Sequence, residues 1–264
     1  EGMAPIVTSR GTFIAPFVNA EKPQYLVVED KFPNGRPPLE KVGVYFCDRD
    51  TVNMTEKMKV TTCLNPLHTA MSMYGCLLGY TLICDEMKDA DIVRLVKRLG
   101  YVEGLPVVVD PKILSPKAFI DEVMNERLPN VFMPDDPRRI ATDTSQKVGI
   151  RFGETIKSYV AEGRDLNDLV SIPLAIAGWM RYLLGVGDDG EAIEISSDPM
   201  KDALREKLAG IELGKPETYK GQLAEILSNE VIFGSDLVKI GLADRIEQMF
   251  LEELGLQESG LDRL

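Results

Sequence analysis

The sequence predicts a mainly α fold, a multi-helix domain preceded by a short β-rich lead, and three observations carry that expectation. The first 50 residues hold two β-rich runs, Tyr25–Asp30 (YLVVED) and Val42–Phe46 (VGVYF), separated by the turn-rich KFPNGRPPLE. From about residue 55 the text turns helical, and Ala70–Met87 is apolar almost all round, as in a helix buried on most sides. Helix-start signals then recur, with Ser115 before Pro116 and Asp198 before Pro199. A boundary near residue 54 follows, with a lead over 1–54 and a helical domain over 55–264. The lead is too small to stand alone and reads as the end of something upstream.

Each helical stretch has its own justification. SPKAFIDEVMNERL (115–128) opens with a cap and a proline at the first helical position. DLVSIPLAIAGWMRYLLG (168–185) is a second apolar helix, expected to kink at Pro173. DPMKDALREKLAG (198–210) repeats the start signal, and YKGQLAEILSN (219–229) and LADRIEQMFLEELG (242–255) complete a set of roughly nine helices. There are no internal repeats and no low-complexity segment.

Composition narrows the function classes. With 264 residues, 44% hydrophobic and 27% charged, the chain is ordinary globular material. A net charge of −12 repels phosphate backbones and anionic lipid, so neither nucleic acid nor membrane is an expected partner. The most apolar stretch, 71–84, is shorter than the roughly 20 residues a bilayer span needs. Cys47, Cys63, Cys76 and Cys84 form no C-x-x-C pair and read as reduced core thiols in a cytoplasmic protein. One histidine and no clustered cysteines leave no expected metal.

That histidine, His68, lies in KVTTCLNPLHTA (59–70) with Lys59 and Asn65. A lysine can accept a proton from an alcohol as hydride leaves. An asparagine amide can donate to the oxygen on which negative charge builds, and a neutral histidine can orient a hydroxyl. The plain alternative is a solvated Lys59, an N-capping Asn65 and a buried, hydrogen-bonded His68. Asn65 and His68 share a helix face, but Lys59 would stand roughly 180° away on an unbroken helix. Pro66 lacks the N–H that would bind the carbonyl of Thr62. Either a helix begins at Asn65 as N-cap with Pro66 first inside it, the preferred reading, or a kink or π-bulge turns Lys59 toward the others.

These residues resemble the polyol-specific long-chain dehydrogenases, which include mannitol 2-dehydrogenase and fructuronate reductase. EKMKVTTCLNPLHTAM is similar to the catalytic helix of that family, a Glu, a Lys three later, then Asn-x-x-His. YLVVEDKFPNGRPPLEKVGVYF, RIATDTSQK (139–147) and AIAGWMRYLLGV (175–186) resemble further stretches in the same order. The resemblance spans most of the chain and implies the C-terminal half of a two-domain dehydrogenase. It implies Lys59 as general acid/base, Asn65 in the oxyanion site, His68 as substrate orienter, Glu56 as proton relay, and Arg139 and Lys147 as substrate contacts. Five residues, Val60 to Leu64, separate Lys59 from Asn65 where the family usually has four, so Lys57 is the substitute candidate. Arg139, Asp143 and Lys147 are also spaced to form an exposed ion-pair ladder.

The implied activity interconverts a sugar alcohol and a ketose of the mannitol and fructose type, using NAD or NADP. Fructuronate (mannonate) or tagaturonate reduction is the alternative, and a non-catalytic helical assembly module is the alternative of another class. The cofactor would be bound mainly by a nucleotide-binding domain in cis or in trans. GVGDDG (185–190) has the G-x-G-x-x-G spacing, but it follows a helical run and precedes a β-like one, the reverse of the dinucleotide-binding order. The chain opens Glu1-Gly2-Met3, so a C-terminal portion, or one that meets its partner in trans, is expected, inactive as a dehydrogenase alone.

Overall fold

The computed structural model describes residues 6–7, 13–14 and 26–255. Short strands β1 (Ile6–Val7) and β2 (Phe13–Ile14) pair antiparallel, while β3 (Leu26–Glu29) and β4 (Val44–Cys47) pair parallel, Leu26 opposite Val44 and Glu29 opposite Cys47. Arg36 holds the β3–β4 connection. Its guanidinium bonds Asp30 at 2.8 Å and Glu40 at 2.6 Å, and lies 3.4 Å from the Phe46 ring centroid. Other parts of the expected lead lie outside the described residues.

The rest is helical, as expected: α1 (Arg49–Met58), α2 (Asn65–Leu77), α3 (Ile83–Glu86), α4 (Ala90–Lys97), α5 (Pro116–Glu122), α6 (Pro137–Ile140), α7 (Glu154–Glu162), α8 (Ser171–Tyr182), α9 (Lys201–Lys207), α10 (Leu223–Leu227), α11 (Glu230–Phe233) and α12 (Ala243–Gly255). No helix among the described residues is long and apolar enough to cross a membrane.

The core forms where α2 meets α8 and α12 closes over α8. Every residue of α2 from Pro66 to Leu77 is buried, as is every residue of α8. The two helices approach closely at Gly178, where a Cβ would stand 2.7 Å from the Tyr74 ring. Tyr74 Oη lies 2.8 Å from the Leu174 carbonyl and 2.6 Å from Glu253 Oε1 of α12. Burial pushes the Glu253 carboxyl up to about 8. When protonated, Glu253 donates to Tyr74 Oη, which leaves the tyrosine proton for Leu174.

The start of α8 is capped from a distance. The buried Glu103 carboxylate accepts from the backbone N–H groups of Val170, Ser171 and Ile172 at 3.0, 2.7 and 3.0 Å, and Arg98 Nε lies 3.2 Å from it. Three donors that a helix start leaves unpaired are thereby satisfied, and the negative charge meets the positive end of the helix dipole.

Several local expectations need correction. Pro173 does not kink α8, because it sits in the first turn, where its missing N–H costs nothing. The 70–87 run divides into α2 and α3 at a turn through Gly79, whose φ of 78° suits glycine. Helix α9 starts at Lys201 rather than Asp198, whose carboxylate is occupied by Ser145 Oγ, Ser145 N–H and Met200 N–H. Cys63, Cys76 and Cys84 are buried free thiols, whereas Cys47 is only half-buried, on β4.

Candidate active site

Helix α1 does not run straight into α2. After Met58 the backbone widens into a π-helical stretch, Lys59–Cys63, and the Leu64 N–H donates to the Lys59 carbonyl at 3.1 Å, five residues back. Leu64 then breaks the helix at φ −138°, ψ −62°, and α2 restarts at Asn65 with Pro66 in its first turn. Both proposed devices therefore occur together. Leu64, not Asn65, is the cap residue, and the break and the π stretch together change the direction in which Lys59 points. A π turn takes one residue more than an α turn, so it accommodates the long Lys59–Asn65 spacing.

Lys59, Asn65 and His68 line one cleft of about 290 Å³, with Leu64, Arg127, Asp135, Arg139, Ile140, Lys147 and Arg151. Five of the six site residues expected from the sequence thus meet there. Glu56 is the exception. It is exposed and lines a neighbouring groove with Asn53, Lys57, Val60, Thr61, Ile150 and Glu154. Lys57 faces that groove too, 3.1 Å from Glu154 Oε2, so Lys59 is the lysine that shares the cleft with Asn65 and His68.

His68 is buried, and its Nε2 lies 3.8 Å from Asp135 Oδ2, too far for a hydrogen bond. Burial first, then the charge of Arg127, lowers its pKa to about 4, against the opposing pull of Asp135. The imidazole is therefore neutral near pH 7, and the contact is not an ion pair. Asp135 also accepts from Arg139 Nη2 and lies 4.0 Å from Arg127 Nη2.

The ion-pair ladder does not form. Helix α6 ends at Ile140, and Asp143 takes a left-handed conformation at φ 55°, so 139, 143 and 147 share no continuous helix. Arg139 pairs with Asp135 instead. Lys147 Nζ donates to the carbonyls of Ile140, at 3.3 Å, and Thr142. Burial and the neighbouring charge of Arg151 lower the Lys147 pKa.

Sequence reasoning missed Arg127, Asp135 and Arg151. Three of the five cleft cations sit on π-helical stretches: Lys59 on Lys59–Cys63, Arg127 on Val123–Arg127 and Arg151 on Gly149–Gly153. The last stretch presses against α11, where a Cβ on Gly153 would stand 2.0 Å from the Phe233 carbonyl oxygen. That contact fixes the backbone carrying Arg151. Its Nη1 donates to Thr69 Oγ1 at 2.5 Å, and Thr69 Oγ1 donates to the Asn65 carbonyl at 2.9 Å.

Five cations and one carboxylate around a neutral imidazole suit an anionic, hydroxyl-rich ligand. The 185–190 glycine stretch offers no matching phosphate cradle. It follows α8, holds one end of an isolated Val186–Ala192 bridge, and presents the Val186 and Gly187 carbonyls to the buried Arg181. Among the described residues, no group of three or more His, Cys, Asp or Glu is placed to hold a metal ion.

Residues 51–252 match the family described as mannitol dehydrogenase C-terminal domain. The chain belongs to this family. It is 54% identical over 254 residues to D-mannonate oxidoreductase of Thermotoga maritima, covering 95% of this chain and 47% of that protein. It is 32% identical to polyol:NADP oxidoreductase of Gluconobacter oxydans, covering 69% and 36%. The fold is similar to Pseudomonas fluorescens mannitol 2-dehydrogenase, solved as a ternary complex with NAD and D-mannitol. The TM-score is 0.74 at 26% identity, over 90% of this chain and 45% of that one. The chain spans less than half the length of each of these three proteins.

Proposed function

We propose that this mannitol dehydrogenase C-terminal domain is the substrate-binding and catalytic half of an NAD(P)-dependent oxidoreductase. It interconverts a polyhydroxy compound and its keto form, with a hexuronate keto form as the favoured substrate. The observation that carries the hexuronate preference is the cleft charge: Lys59, Arg127, Arg139, Lys147 and Arg151 face one carboxylate, Asp135, in a protein whose net charge is −12. A neutral polyol does not need such a field, whereas a sugar carboxylate does. The 54% identity to D-mannonate oxidoreductase supports the same preference. A second reading, mannitol and fructose, is favoured by the likeness to the D-mannitol complex of the Pseudomonas fluorescens enzyme.

The residues divide the work by their chemistry. In oxidation, Lys59 takes the proton from the secondary hydroxyl, and in reduction it returns one. The Asn65 amide donates to the oxygen that carries alkoxide character. His68, neutral across the working pH range, holds an adjacent hydroxyl. Arg139 and Lys147 contact the remainder of the substrate. Glu56, one groove away, exchanges protons with Lys59 through solvent. The nicotinamide, when bound, supplies the hydride acceptor or donor. It is held mainly by a nucleotide-binding domain in cis or in trans, and the helical half alone has no dehydrogenase activity. The parallel β3–β4 pair supports this division, because parallel strands are ordinarily found inside larger covered sheets.

The test is a substrate panel on the enzyme assembled with its nucleotide-binding half. NAD(P)H-dependent reduction of fructuronate or tagaturonate should exceed that of fructose by at least about tenfold in kcat/KM, the equivalent of one charge-assisted contact. Equal or better use of fructose would favour the second reading, and no turnover of either class would favour a non-catalytic module.

A further inference from the structure

The cations of the cleft are not equivalent. Arg139 and Arg127 both approach Asp135, which balances part of their charge. Lys59 belongs to the reacting end with Asn65. Lys147 and Arg151 remain, and neither has a carboxylate within ion-pair distance among the described residues. The Lys147 ammonium is held by two backbone carbonyls and Arg151 by one neutral hydroxyl, that of Thr69. The Arg151 charge raises the electrostatic cost of the Lys147 ammonium. Burial alone holds the Arg151 pKa down, to about 10, with no anion opposing it. Two like charges held side by side in a half-buried wall are costly unless an anion joins them.

The backbone around Arg151 is built for position. Gly149 and Gly153 let the π-helical turn press against α11, where a Cβ on Gly149 would stand 2.7 Å from the Ile232 carbonyl oxygen. The Thr69 contact fixes one prong of the guanidinium and leaves the other nitrogens for a ligand. Thr69 follows His68 directly and is one helical turn beyond Asn65, so the anchor ties Arg151 to the helix that carries the reacting end.

We propose that Arg151, together with Lys147, reads the substrate carboxylate and makes Arg151 a specificity-determining residue for sugar acids over neutral sugars. The inference rests on the hexuronate reading above. A planar guanidinium with free nitrogens pairs with a carboxylate through two parallel N–H···O bonds, which a ketose hydroxymethyl group cannot reproduce.

The experiment measures kcat/KM for fructuronate and for fructose in the assembled enzyme, wild type beside Arg151→Gln and Arg151→Lys. In Arg151→Gln the fructuronate-to-fructose ratio should fall by about 30-fold or more, chiefly through KM, since the contact is made equally in ground and transition states. Arg151→Lys keeps the charge but loses the two-pronged geometry, and its ratio should fall by about tenfold. If Arg151→Gln does not fold by circular dichroism, Arg151→Lys decides. A wild type that prefers fructuronate, with an unchanged ratio in the folded variants, overturns the Arg151 assignment and leaves the hexuronate reading standing. A wild type without that preference overturns both.

Discussion

His68 and Asp135 face each other across the cleft at 3.8 Å without forming an ion pair, because burial and the charge of Arg127 keep the imidazole neutral. Only Asp135, among the charged groups around His68, favours the protonated ring. As the chain has one histidine, its imidazole resonances are unambiguous by NMR. Titration should centre near pH 4 rather than 6.5, and Asp135→Asn should move it lower still. A midpoint near 6.5 would mean that the ring is solvated and not held as described.

The same shift sets the acid side of stability. In the unfolded chain His68 takes its proton near pH 6.5, and in the fold near 4. Between those values the unfolded state binds more protons, so stability falls as pH falls through this window. Urea midpoints measured from pH 7 down to 4 should decline, and His68→Asn should flatten part of the decline. A slope in the variant equal to that of wild type would remove His68 as a cause.

Glu253 acts on the alkaline side with the opposite sense. Its carboxyl holds a proton in the fold up to about pH 8 but loses it near 4.5 when unfolded. Across that interval the folded state binds more protons, and stability falls as pH rises. Glu253→Gln keeps a polar group beside Tyr74 and cannot ionise. Its thermal midpoint should gain on wild type steadily from pH 5 to about 8 and level off above it, and a constant difference throughout would contradict the assignment.

Glu103 is expected to matter more than its distance from the cleft suggests. Removing its carboxylate leaves three N–H groups at the start of the buried helix α8 without their acceptor. Glu103→Ala should cost about 2–4 kcal/mol by urea unfolding, as for other buried donors left unpaired. A loss below about 0.5 kcal/mol, typical of a surface change, would show that water or a shifted backbone replaces the cap.

What could be read from the sequence was local. Ser115 caps α5 as expected, accepting from the Ala118 N–H at 3.2 Å, because cap and proline signals depend on adjacent residues. Lys59, Asn65 and His68 were recognisable because their residue types and order carry the family resemblance. Arg127 was not, since a cation in the last turn of an amphipathic run looks like an ordinary partner of the helix dipole. Its role depends on a π-helical turn that hydrophobic periodicity does not reveal. Arg151 left a faint signal in GIRFG, where glycines four apart flank a cation, but only the fold shows the Ile232 and Phe233 carbonyls they approach. Asp135 stands beside Asp136, and two adjacent carboxylates before a proline do not tell which one caps the helix, as Asp136 does for α6, and which one faces the cleft. Pro173 was misread because a kink requires the helix to begin well before the proline, and α8 begins only at Ser171.

The central claim is that the π-helical turn after Met58 places Lys59, and not Lys57, among Asn65, His68 and the cationic wall. Turnover of the assembled enzyme after Lys59→Ala and Lys57→Ala tests it most directly, with substrate saturating and both variants checked for folding. The account predicts that kcat falls by more than about 100-fold in Lys59→Ala and stays within about threefold of wild type in Lys57→Ala. Near-wild-type turnover in Lys59→Ala, or the large loss in Lys57→Ala instead, would contradict it.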